Sequence, residues 1–328
     1  MQIIRKEYVR FHESVIRATL ENGLEVHIIP KPRFHKTYAL FLTKYGAMDN
    51  SFVHKDLGEV KMPYGIAHFL EHKLFETEEG EDAGSLLDAL GAQPNAYTSY
   101  NRTAYLFSAT KNVDACLEVL LDFVQSPYFT KEGVDKEQGI IDEELKMYQD
   151  MPGDRLRLGI LENLYHHNEV KQDIGGTMAS IKEIDQEKLY LCHETFYHPS
   201  NMILVIVGNV DVDKTIEQVV LNQSKKEFGP DKLISRIRME EPRPIVHPHR
   251  SIKMDIVDAK VAVGIKLQEA PFNGKDSVLE ELSYRILLEE LFGYTSKHYQ
   301  EMMDLELINQ TFGFDIVYED YARFILIH

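Results

Sequence analysis

Residues Gly65–Glu76 read GIAHFLEHKLFE: two histidines, His68 and His72, stand four positions apart, with Glu71 immediately before the second. On a helix turning about 100° per residue, His68, Glu71 and His72 share one side while Phe69 and Leu70 point elsewhere. Two neutral imidazoles at that spacing can direct a nitrogen each at one Zn2+, about 2.0–2.1 Å away. Glu71 stands where it can take a proton from a water on such an ion, whose pKa falls to about 7. A catalytic site of this kind needs a third protein ligand and one open position.

The chain offers acidic candidates in EQGIIDEELKMYQDMPGD, Glu137–Asp154. Glu137 and Glu144 are seven apart, two turns along one helix face, and Glu143 lies about 100° round from Glu144. Periodicity alone leaves Glu137, Glu143 and Glu144 tied.

Around these stretches the sequence alternates between strand and helix signals. LEVHIIP (24–30) and TYALFLTKYG (37–46) are short β-branched and aromatic runs, with Asn22-Gly23 as a turn. A helix is expected over 62–76, and PNAYTSYNRTAYLFSAT (94–110) reads as two strands joined near Asn101-Arg102. The period then becomes 3.6: Val113, Leu117, Leu120, Leu121 and Val124 make one helical face, and further helices are expected over 131–149, 155–166 and 185–197. NMILVIVGNV (201–210) is a buried strand. Residues 222–249 hold Pro230, Pro242, Pro244 and Pro248 and no strand-like run. Beyond them, SIKMDIVDAKVAVGIKLQ (251–268) reads as two strands, 277–292 as a helix and 312–328 as strands. The expected organisation is a zinc-binding domain over 1–221, a linker over 222–249 and a second domain over 250–328 that looks incomplete.

Composition narrows the function classes. The chain has 328 residues, 44% of them hydrophobic, and a formal net charge of −17. That charge argues against nucleic acid, whose backbone demands Lys/Arg-rich faces, and against anionic membrane surfaces. Cys116 and Cys192 form no CxxC pair and read as packed thiols. Met1–Phe11 carries Arg5, Lys6 and Arg10 and no unbroken apolar run, and nowhere is there a spanning run of about 18 apolar residues. A cytoplasmic protein is expected. His166-His167 and Gly175-Gly176 read as a solvated helix end and a turn, and no P-loop, GxGxxG or GxSxG motif is present.

Taken together, GIAHFLEHKLFE, NAYTSYNRTAYLF (95–107), EQGIIDEELKMYQDMP (137–152) and HETFYHPSNMILVIVGNVD (193–211) resemble the pitrilysin/insulinase family of zinc peptidases, the inverzincins, closest to its bacterial, mitochondrial-processing-peptidase-like branch. The likeness covers roughly residues 20–215 in order and spacing. It implies an α+β fold: a mixed, largely antiparallel sheet covered by helices, in two related domains. It also breaks the tie among the acids, because the family's third ligand stands just before an apolar residue, as Glu144 does before Leu145. Glu137 then matches an acidic position that assists the site from behind the ligands. The implied chemistry is hydrolysis of short or unfolded peptides, with one Zn2+ per chain held by His68, His72 and Glu144. Glu71 acts as base, and the strand at Asn95 and Ala96 grips an extended substrate. Lys73 departs from the family's usual small or apolar residue there, and the gap from His72 to Glu144 is slightly short.

A further departure concerns partners. Family members that act alone carry an arginine, and a tyrosine seven positions later, in the second domain. The corresponding positions here hold Met303 and Gln310, neither a strong donor to a developing oxyanion. The resemblance thus implies either a related second subunit lacking the zinc motif or a homodimer. The competing class is a structural or peptide-binding subunit that keeps the fold without turnover.

Overall fold

The computed structural model describes residues 1–78, 80–230, 234–268 and 273–328. Its strands are β1 (Gln2–Tyr8), β2 (Glu13–Thr19), β3 (Glu25–Pro30), β4 (Thr37–Thr43), β5 (Ser51–His54), β6 (Gly58–Lys61), β7 (Ala92–Thr98), β8 (Thr103–Ala109), β9 (Met202–Gly208), β10 (Ser235–Arg236), β11 (Val263–Lys266), β12 (Phe314–Tyr318) and β13 (Arg323–Ile327). Its helices are α1 (Ile66–Lys73), α2 (Ala83–Ala89), α3 (Val113–Gln125), α4 (Lys131–Gln149), α5 (Pro152–Leu164), α6 (Met178–Ile181), α7 (Gln186–Phe196), α8 (Val212–Ser224), α9 (Gly274–Phe292) and α10 (Lys297–Asp304). The fold is mixed α+β with largely antiparallel sheets. Contacts divide the chain into one unit of residues 1–143 and 173–237 and a second of 144–172 and 238–328. The division falls inside α4, which is one unbroken helix.

The first unit is built on a seven-stranded sheet in the order β1-β2-β3-β9-β4-β8-β7. Only β3 and β9 pair in parallel; every other neighbour is antiparallel. The alternation in β9 (MILVIVG) places Met202, Leu204 and Ile206 in the core. Helix α3 packs against β4 and β8 through the face its spacing announces, burying Leu117, Leu120, Leu121 and Val124 along with Cys116 and Phe123. Each fully buried aliphatic side chain there contributes about 1.5–3 kcal/mol against exposure. A second sheet, β10-β5-β6, completes the unit's strands.

The metal-motif helix is shorter than the 62–76 expected, and its start has a steric cause. Gly65 caps α1 with φ of 87°, a left-handed conformation that ends helical geometry on its N-terminal side. A Cβ on Gly65 would lie 2.3 Å from the Gly175 carbonyl oxygen, and one on Gly176 (φ 80°) 2.4 Å from the Tyr64 carbonyl oxygen. The segment at Gly175-Gly176 is therefore more than a turn: Gly176 and Gly65 let two backbones cross at the first residue of α1.

In the second unit, β11-β13-β12 form an antiparallel sheet, with α5 against β11 and α9 against β12. Of the two strands expected in 251–268, only β11 forms. Ser251–Ala262 makes no ladder among the described residues, and Val257 and Val261 are 99% and 77% exposed. Alternation gives a segment the side chains of a strand, but its backbone needs a neighbour to bond. His166 and His167 are also better anchored than a solvated helix end. Their backbone N–H groups, with that of Asn168, donate to the Glu241 carboxylate, which also accepts from Lys266 Nζ at 2.6 Å. Burial alone would raise Glu241; the Lys266 bond and the three N–H groups outweigh it and take the carboxyl down to about 2.

Candidate metal centre

Helix α1 presents His68, Glu71 and His72 on one side, and buries Phe69 and Leu70 on the other. The two imidazole rings lie edge to face, 4.5 Å between centroids. Helix α4 carries the acids. One ligand atom from each of His68, His72 and Glu144 falls within 4.8 Å of the others. Glu137, two turns earlier on the same helix, meets His72 instead: its Oε1 lies 2.9 Å from His72 Nδ1. Glu143 is exposed and outside the group. The three acids that periodicity left tied thus take three different positions.

The donor set suits a divalent ion such as zinc: two imidazoles and one carboxylate, convergent and half-buried. Burial, then the neighbouring His72 ring, push His68 down to about 4, so it is neutral at pH 7, the form that ligates. Donating its Nδ1–H to the Glu137 carboxylate, His72 takes the tautomer whose Nε2 lone pair is available.

Glu71 is 8% exposed, and its Oε2 accepts a 2.6 Å hydrogen bond from Thr98 Oγ1 on β7. An open cavity of about 380 Å³ lies beside it, bordered by Glu71, His72 and Glu137 and by Pro94, Asn95 and Ala96 of β7. Strand β7 ends the sheet. Pro94 has no N–H to give, and the Ala96 N–H donates to its own neighbour's Asn95 Oδ1 at 2.9 Å; both mark the side of β7 that faces away from β8. Sequence reasoning placed Asn95 and Ala96 at this edge but missed Thr98, whose part depends on the distance between a strand and a helix.

Comparison with known proteins gives the family. The family profile described as Insulinase (Peptidase family M16) matches residues 57–178, and that of the Peptidase M16 inactive domain matches 183–326. The chain belongs to peptidase family M16. It is 47% identical to the "Uncharacterized zinc protease YmfH" of Bacillus subtilis (strain 168), over 95% of this chain and 73% of that protein. It is 27% identical to the zinc protease PqqE of Helicobacter pylori, over 98% of this chain and 70% of that one. The crystal structure of an M16-like peptidase from Alicyclobacillus acidocaldarius superposes with a TM-score of 0.90 at 37% identity, covering 100% of this chain and 74% of that one. Pitrilysin shares the fold at a TM-score of 0.68 and 14% identity, with this chain covering 35% of it. The chain spans between 44% and 73% of the first curated relatives it matches. No helix among the described residues is long and apolar enough to cross a membrane.

Proposed function

We propose that this M16 chain is a zinc metallopeptidase that hydrolyses short or unfolded peptides, and that it is the metal-bearing subunit of a two-subunit enzyme. The observation that carries the reading is the convergence of His68, His72 and Glu144 within 4.8 Å, with Glu71 on the same helix face. His68, His72 and Glu144 would hold one zinc ion per chain. When bound, the ion supplies Lewis acidity that polarises a carbonyl and makes water a nucleophile at neutral pH. Glu71 accepts the proton that the attacking water loses and returns one to the departing amine. Glu137 keeps the His72 ring in one tautomer and one orientation through the 2.9 Å bond to Nδ1. An extended peptide adds to the outer side of β7, where its carbonyl takes the Ala96 N–H from the Asn95 side chain; backbone pairing of this kind asks little of the substrate's sequence.

The two-subunit reading draws on two positions in the second unit. Met303 sits half-buried on α10 and Gln310 is exposed beyond it, and neither supplies the cationic and phenolic donors of family members that act alone. A related subunit without HxxEH would bring them, and a homodimer is the other arrangement. A non-catalytic reading draws on the inactive-domain profile, but that match begins at residue 183, after the metal motif. A general base beside a metal site serves no purpose in a scaffold.

Metal analysis and a peptide-cleavage assay on wild type and Glu71→Gln test the reading. The variant is expected to keep about one zinc per chain and to lose hydrolysis by about 100-fold or more. Equal, measurable rates would refute the assigned base. A purified chain that cleaves unstructured peptides at full rate, unimproved by any second subunit, would reject the two-subunit arrangement.

A further inference from the structure

We propose that Thr98 is the positioning residue of the base: from edge strand β7 it holds the Glu71 carboxylate, so that the strand offered to substrate and the group that moves the proton form one unit. This rests on the reading of Glu71 as base. Thr98 Oγ1 lies 2.6 Å from Glu71 Oε2, the short distance of a hydroxyl donating to an ionised carboxylate.

The direction of that bond is fixed by proton counting. Thr98 stands opposite Thr103 in the β7–β8 register, with the two hydroxyl oxygens 3.4 Å apart. Thr103 is fully buried and spends its one proton on the Tyr45 carbonyl at 2.9 Å. The hydroxyl of Thr98 also has a single proton, and the carboxylate is an acceptor only, so that proton goes to Glu71. Thr103 in turn faces Thr43 across β8–β4, and Thr43 donates to the Phe196 carbonyl at 2.6 Å. Thr98 is therefore set by the end of a register spanning three strands.

Alternation along β7 explains why this residue and no neighbour does it. Pro94, Ala96 and Thr98 are half-buried, whereas Asn95 and Tyr97 are exposed. Of the three on the buried face, Thr98 alone carries a hydrogen-bond donor in its side chain. Glu71 has three rotatable bonds, and a hydrogen bond from a ladder-held strand restricts that freedom.

The test uses the full chain with Thr98→Val, which keeps the β-branched shape and loses the hydroxyl, and Thr98→Ser, which keeps the hydroxyl. With a quenched fluorogenic peptide of mixed sequence, Thr98→Val is expected to lose about 10- to 100-fold in kcat, with KM within about 3-fold and zinc content equal to wild type. Thr98→Ser should recover most of that loss. Wild-type kcat in Thr98→Val, or equal losses in both variants, would overturn the proposal. Crystal structures of the metal-free variants give a readout independent of turnover: Glu71 should occupy several rotamers in Thr98→Val and one in Thr98→Ser. One rotamer in both overturns the proposal whatever the rates, whereas zinc-loaded wild type that hydrolyses nothing with or without a second subunit sinks the peptidase reading instead.

Discussion

The seven-stranded sheet has two edges, and the sequence treats them in opposite ways. Strand β1 reads QIIRKEY, is exposed along its whole length, and carries Arg5, Lys6 and Glu7 in a row. Strand β7 reads AQPNAYT and carries no charge at all, although it borders a cavity flanked by Glu71 and Glu137. Charges on an unpaired edge keep other strands from joining it. An edge without them, whose outward N–H at Ala96 meets its neighbour's side chain, is open to a visiting strand. One sheet thus guards the edge remote from the metal motif and leaves open the edge beside it.

The sharpest way to break that comparison is to close β7. Ala96→Pro removes the outward N–H without costing a bond to β8, because Pro94 already shows that proline is compatible with this side of the strand. The expected outcome is a fall of about 10- to 100-fold in kcat/KM, from one lost hydrogen bond to the substrate backbone and the bulk of the ring. Thermal stability should stay within about 1 kcal/mol of wild type. An unchanged kcat/KM would show that substrate enters elsewhere.

How much of this was legible in the sequence depends on whether local spacing or tertiary packing decides. His68, Glu71 and His72 share a helix face by arithmetic, and the 95–107 hairpin announces itself by alternation around Asn101-Arg102. The acids of α4 are different. Spacing puts Glu137 and Glu144 on one face, but which turn of α4 lies opposite the histidines is set by how two helices pack, and the resemblance to relatives was needed to choose Glu144. Thr98 was illegible because its role needs the β7–β8 register and a 2.6 Å approach to another element. Strand β1 escaped notice because, with both faces exposed, it carries no apolar alternation. Ser251–Ala262 erred the other way, with alternating side chains and no ladder among the described residues.

A smaller effect tests whether the open edge is matched to a prepared metal centre. Glu137 is 8% exposed and bonded to His72 Nδ1, so Glu137→Leu removes the acceptor while filling a similar volume. Zinc affinity, measured by competition with a chromogenic chelator, should weaken by about 10-fold, the lower end for such partners because both rings stay fixed on α1. Unaltered affinity would mean that α1 alone orients the ligands and that α4 contributes only Glu144.

The smallest expected effect on catalysis lies at the guarded edge, and it separates the two edges most cleanly. Replacing Arg5 and Lys6 with threonine leaves β1 a good strand, since threonine favours the pleated conformation, and leaves Ile3, Ile4 and Tyr8 about half exposed along it. Hydrolysis should stay within about 2-fold of wild type, because nothing on β1 borders the cavity at Glu71. What should change is self-association: light scattering at rising concentration should show larger species for the double variant, suppressed when a lysine is restored. If instead the double variant stays monodisperse while its peptide cleavage falls, the charges of β1 serve the reaction and the division of labour between the two edges is wrong.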